Sequence, residues 1–200
     1  MAGKPLLPTE QLVTASERWS REHRVIYAVA VASMRIIDRV RDQDEGAEID
    51  ILDAFSFFND YVERMHLNYE EKHLFPWFAA NFADLGSDLV DRAAAEHEES
   101  RVQWRTLTAA YEAMKGGAAD VLPEFLDYFQ QYLSDLRSHV AKEQSYLYAL
   151  LEQVLTPDEQ GRLRAEGNRS EVASLGPGAA PVYERRALAL CARYGVPIAG

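Results

Sequence analysis

Cysteine is nearly missing from this sequence. The one thiol, Cys191, has no partner for an internal disulfide, and a reducing cytoplasm is the expected setting. Positive charge is also scarce. Against 32 Asp and Glu stand 21 Lys and Arg, a formal net charge of -11, so the surface on average repels a phosphate backbone or an anionic membrane. Small ligands are the expected partners, with no nucleic acid and no membrane. No apolar run reaches the roughly eighteen residues that a membrane helix needs. The opening MAGKPLLPTE lacks the apolar centre of an export signal, so secretion is not expected and the glycosylation pattern at Asn168-Arg169-Ser170 carries no weight. Neither a Ser-His-Asp grouping nor a glycine-rich phosphate loop is legible.

Histidine is rare too, and its placement is the strongest signal in the chain. Only five occur. Within Tyr61 to Phe78, His66 and Glu70 are four residues apart, which on a helix puts both side chains on one face about a turn apart. The pattern returns 73 residues later as His139 and Glu143, and His23 and His97 keep a nearly equal offset of 74. One His-x-x-x-Glu is an ordinary helical pair. Two of them, each preceded at almost equal distance by a further histidine, are two halves of a metal site.

Apolar periodicity predicts where these residues sit. Four long helices are expected over 11–41, starting from Pro8-Thr9-Glu10, then over 49–82, 88–115 and 119–155. Asp44-Glu45-Gly46, Gly86-Ser87 and Gly116-Gly117 mark the breaks. A kink is expected after His73, where Pro76 removes an N–H. Helices of this length with short connections predict an all-α, antiparallel up-down-up-down four-helix bundle over 1–155. Thr156-Pro157-Asp158-Glu159 opens a short helix to about residue 166, and 183–194 reads as another. These make 156–200 a C-terminal helical extension packed on the same domain, as packing or as a lid.

The runs REHRVI, HLNYEEKHLFPWF, EHEESR and HVAKEQSYLY resemble the helix motifs of the hemerythrin-like family, the HHE cation-binding domain. The likeness covers about residues 19 to 155. It implies iron ligands at His23, His66, Glu70, His97, His139 and Glu143, and a non-haem di-iron centre inside the bundle. Two departures from the oxygen carriers of that family argue against reversible oxygen carriage. Arg101 stands where they have a second third-helix histidine, and His139-x-x-x-Glu143 replaces a His-x-x-x-x-Asp pair.

With both carboxylates bridging, each ion has four protein ligands, and an oxide or hydroxide bridge makes five. Iron takes about six, so one exchangeable position remains on each. Manganese and zinc suit the same donors. The expected function is to bind or reduce dioxygen, peroxide or nitric oxide in sensing, storage or detoxification. The alternative is a di-iron oxidoreductase or oxygenase acting on a small organic substrate, and a helical interaction module with structural histidines is a third reading.

His73 lies on the His66 stripe, and two readings stand: a fifth histidine ligand, or a packed side chain beside Pro76, the preferred one. Tyr27, Tyr69 and Tyr146 are read as core packing with a hydroxyl partner, and only after that as donors near the metals. Arg101 shares a face with His97 and is read as an outward salt bridge before a partner of a site carboxylate; Glu71, Glu98 and Glu99 are read as solvated or supporting groups.

Overall fold

Thr14 opens the first helix. Its side chain accepts from the Glu17 N–H at 3.1 Å while Glu17 bonds back to the Thr14 N–H at 3.0 Å, satisfying two donors that a helix start leaves unpaired. The computed structural model describes residues 14–44 and 46–198. The start expected at Pro8-Thr9-Glu10 lies outside them. Helix α1 spans Ala15–Arg41 and ends with Arg39 and Arg41, which suit the negative end of its dipole.

A second helical run follows, unbroken from Ala47 to Asn81: α2 (Ala47–Phe57), π1 (Phe58–His66), α3 (Leu67–Tyr69), π2 (Glu70–Leu74) and α4 (Phe75–Asn81). The wide turn π2 occupies the place where a kink was expected, and Pro76 falls in the first turn of α4, where its lost N–H costs least. Next come α5 (Ala83–Lys115), a 3₁₀ turn (Ala119–Val121), α6 (Leu122–Lys142), π3 (Glu143–Tyr148) and α7 (Ala149–Val154). Gly86-Ser87 is not the break that the sequence suggests, because α5 runs straight through it. A glycine costs a helix only about 1 kcal/mol, which the rest of a long helix outweighs.

The C-terminal part is more helical than expected. Thr156 and Glu159 form a second capping box, and α8 continues from Pro157 to Leu175, well beyond residue 166; α9 spans Ala180–Arg193. Among the described residues every regular element is helical, and no helix is long and apolar enough to cross a membrane.

α1 packs along α6 and α2, α5 along α6, and α4 against α5. The apolar interior falls into two clusters. The larger holds Ile26, Ile36, Phe58, Phe129 and Leu133, and the smaller holds Trp19, Tyr69, Phe78, Tyr148 and Leu151. Between them lies a polar layer. His23 falls between Trp19 of the smaller cluster and Val25 of the larger; His97 falls between Ala93 and Trp104 in the same sense.

Helices α8 and α9 lie on α1, α2 and π1 and are fastened by buried polar groups. Arg18 donates to Asn168 at 2.5 Å and to Glu171 at 3.0 Å. Arg21 meets Glu184 at 2.6 Å, and Tyr61 donates to the same carboxylate at 3.1 Å. Each charge taken out of water here has an opposite partner, as burial requires.

Candidate metal centre

All six residues singled out from the sequence meet in the polar layer, and all six are buried. α1 supplies His23, π1 ends on His66, π2 begins on Glu70, α5 supplies His97, α6 supplies His139 and π3 begins on Glu143. Their ligand atoms form two groups within 4.8 Å: His23, His66, Glu70 and Glu143, and Glu70, His97, His139 and Glu143. The two glutamates belong to both.

Glu70 spans the groups with its two oxygens. Oε1 lies 3.5 Å from His66 Nε2 and 3.9 Å from His23 Nε2, while Oε2 lies 3.4 Å from His97 Nε2. Oε2 of Glu143 lies 3.2 Å from His139 Nε2 and 3.4 Å from His23 Nε2. His97 and His139 approach to 3.1 Å between their Nε2 atoms. Two donors bound at about 2.1 Å to one ion sit roughly 3.0 to 3.4 Å apart for octahedral or tetrahedral angles, so all of these gaps but the 3.9 Å one are close to what shared cations need.

The hydrogen-bond pattern fits as well. His23 Nε2, His66 Nε2, Glu70 Oε2 and both Glu143 oxygens are buried without a hydrogen-bond partner among the described residues. Native interiors rarely leave such atoms unpaired. These five face one another, a donor set of imidazole nitrogen and carboxylate oxygen that suits iron, manganese or zinc.

Behind this face, three of the four imidazoles are held from outside. Nδ1 of His66 meets Glu22 at 2.9 Å, that of His97 meets Glu71 at 2.9 Å, and that of His139 meets Glu96 at 2.8 Å. Each of these carboxylates has its own cation. Glu22 accepts from Arg18 at 2.7 Å, Glu71 from Arg101, and Glu96 from Lys142 at 2.6 Å. Such outer partners fix the ring and turn Nε2 inward as the free donor.

Electrostatics follows from these pairs. Burial opposes the charge of His97 and His139, but the surrounding carboxylates outweigh it and push them up to about 9 and about 10. His23 is pushed down by burial. Burial also works against ionised Glu22, yet Arg18 and His66 hold it at about 2. The bond from His139 brings Glu96 down to about 2.

The other sequence-singled residues stand apart from the cluster. His73 is half-buried and stacks on Tyr69, ring centroids 5.4 Å apart, and it belongs to neither group. Tyr69 gives its hydroxyl to Leu163 O at 3.1 Å. Tyr27 and Tyr146 are not the core residues expected: Tyr27 is exposed and accepts from Arg137 at 3.0 Å, and Tyr146 is exposed on π3, both on the outward side of their helices. Arg101 does take part, through Glu71.

Sequence reasoning missed Glu22, Glu96 and Tyr148. The first two each directly precede a site histidine, a signal that spacing rules tuned to four-residue steps pass over. Tyr148 is buried, donates to Glu70 and packs its ring 4.6 Å from that of His23.

Fold and site together define a class: an all-helical protein with a buried histidine and carboxylate cluster arranged for cations. The family model for the Hemerythrin HHE cation binding domain matches residues 14–151, and the chain belongs to that family. No curated protein and no solved structure matches it.

Proposed function

We propose that the chain holds a pair of iron ions through His23, His66, Glu70, His97, His139 and Glu143, and binds or reduces dioxygen, peroxide or nitric oxide. The observation that carries this reading is that two four-residue groups share both Glu70 and Glu143, with Nε2 of every imidazole turned inward. Two such ions supply reversible one-electron chemistry and exchangeable coordination positions. The protein's share is to bind them, orient the donors through Glu22, Glu71 and Glu96, and keep bulk water out.

Direction of travel through the core supports the antiparallel four-helix bundle as the frame. Along α1 the chain passes from the smaller apolar cluster to the larger, along α2 to α4 it returns, along α5 it goes forward again, and along α6 to α7 it returns. Residues 156–198 make the extension packed on that frame.

Pocket size favours this reading over an oxygenase acting on an organic substrate. The cleft that reaches His97 and His139, between α5 and α6, holds about 130 Å³, below the roughly 300 Å³ where ordinary small-molecule sites begin. A peroxide or a diatomic fits there.

Metal analysis and optical spectra of the purified chain, with dioxygen or peroxide added to the reduced form, test the proposal. Two irons per chain and a spectral change on addition are expected. A stable new spectrum indicates sensing or storage, and rapid peroxide loss indicates detoxification. A purified chain that is fully folded and takes up no metal would return the histidines to a structural role.

A further inference from the structure

The two halves of the cluster look alike in their inner donors but differ in what stands behind them. His97 and His139 each give Nδ1 to a carboxylate, Glu71 at 2.9 Å and Glu96 at 2.8 Å. In the other half only His66 has such a partner, Glu22 at 2.9 Å. Nδ1 of His23 is buried with no hydrogen-bond partner among the described residues, its ring lying against Tyr148.

The outer pairs also differ in burial. Glu22 is neutralised in the interior by Arg18, side chains 5% and 6% exposed. Arg101 and Lys142, which pair with Glu71 and Glu96, are 37% and 54% exposed. Glu71 and Glu96 are themselves 29% and 28% exposed, so water screens carboxylate and cation alike there, and the difference between the halves rests on the number of backed imidazoles, two against one. An imidazole backed by a carboxylate is also the stronger donor; losing such a partner typically costs about 10- to 100-fold in metal affinity.

Access runs the same way. The cleft between α5 and α6 is lined by His97, His139, Ser100, Tyr132 and Lys142, and by neither His23 nor His66. A cation entering by this cleft meets the better-backed pair first.

We infer that the half-site of His97 and His139 fills first and binds its cation more tightly, and that the half-site of His23 and His66 is the weaker, second one. This rests on the metal-pair reading above. The outer carboxylates Glu71 and Glu96 act as positioning residues that set the order.

Titration of the metal-free full-length chain with cobalt(II), read by calorimetry and visible absorption, tests it. Two events are expected, with dissociation constants about 10-fold or more apart. Repulsion between two ions would also separate two events, so the variants decide. Glu96→Gln is expected to weaken the first event by about 10-fold, and Glu22→Gln the second alone. His23→Ala should keep one cobalt per chain with the first dissociation constant unchanged, which serves if Glu22→Gln does not fold. Glu71→Gln serves in the same way for Glu96→Gln.

Weakening of the first event by Glu22→Gln, equal weakening of both by Glu96→Gln, or loss of the first event in His23→Ala overturns the order. A wild-type chain that binds neither cobalt nor iron removes the metal reading itself.

Discussion

Tyr148 gives its phenolic hydrogen to Oε1 of Glu70, the oxygen that faces His66 and His23, and so leaves Oε2 to face His97. Burial and the nearby Glu70 charge push the phenol well above its ordinary pKa, which keeps it a donor at neutral pH. The ring is also stacked on Trp19, centroids 5.6 Å apart, so its place does not depend on the hydroxyl. Tyr148→Phe should therefore fold and still load metal, with cobalt affinity lowered by about 10-fold and the cobalt absorption bands shifted. Unchanged bands and affinity would mean that the hydroxyl does not position Glu70.

How far this site can be read from the sequence depends on the distance over which its residues act. His66 with Glu70, and His139 with Glu143, are legible because helical geometry alone puts residues four apart on one face. The repeat then links His23 and His97 to them. The support behind them is not legible in that way, because Glu22 to His66 and Glu96 to His139 are contacts between different helical runs, set by packing. The π turns at His66, Glu70 and Glu143 are hidden for another reason. Their backbone stays in the helical region, and only the hydrogen-bond partner shifts by one residue, which leaves no mark in composition.

His73 separates stripe from site. It shares a helical face with His66 in an ideal helix, but π2 intervenes and the side chain stacks on Tyr69 instead. His73→Ala is expected to leave metal content and the visible spectrum of the loaded protein unchanged. Stability should fall by about 1 kcal/mol or less, as for most part-exposed positions. Metal analysis with a denaturant titration checks both halves, and loss of bound metal would restore His73 as a ligand.

Gly167 is where α8 passes over Arg18. A Cβ there would stand 3.3 Å from Arg18 Nη1 and 3.6 Å from the Tyr69 ring. The guanidinium is held by Glu22, Asn168 and Glu171 at 2.7, 2.5 and 3.0 Å, so it can yield only a little. Gly167→Ala should be close to neutral, because better helix propensity, about 1 kcal/mol, offsets the tight contact. Gly167→Val gains less propensity and adds more bulk, and should cost about 1 to 3 kcal/mol by overpacking. Urea unfolding of the two variants distinguishes them. Equal stability of both would show that α8 does not press on Arg18.

Cys191 lies on α9, buried in the larger apolar cluster, and burial pushes its thiol from 9.0 up to about 11. The thiolate is the reactive form, and a rise of two pKa units lowers its population near pH 8 by about 100-fold. Iodoacetamide should accordingly modify the native chain at least about 100-fold more slowly than the guanidinium-unfolded chain, with steric shielding adding to the difference. The same shift has a sign for stability. Unfolded thiol ionises near 9.0 and folded thiol near 11, so between those values the unfolded state is favoured by losing its proton and stability falls as pH rises. Cys191→Ala would remove that fall while leaving a cavity. A native chain that reacts as fast as the unfolded one would place the thiol at the surface and detach α9 from the core.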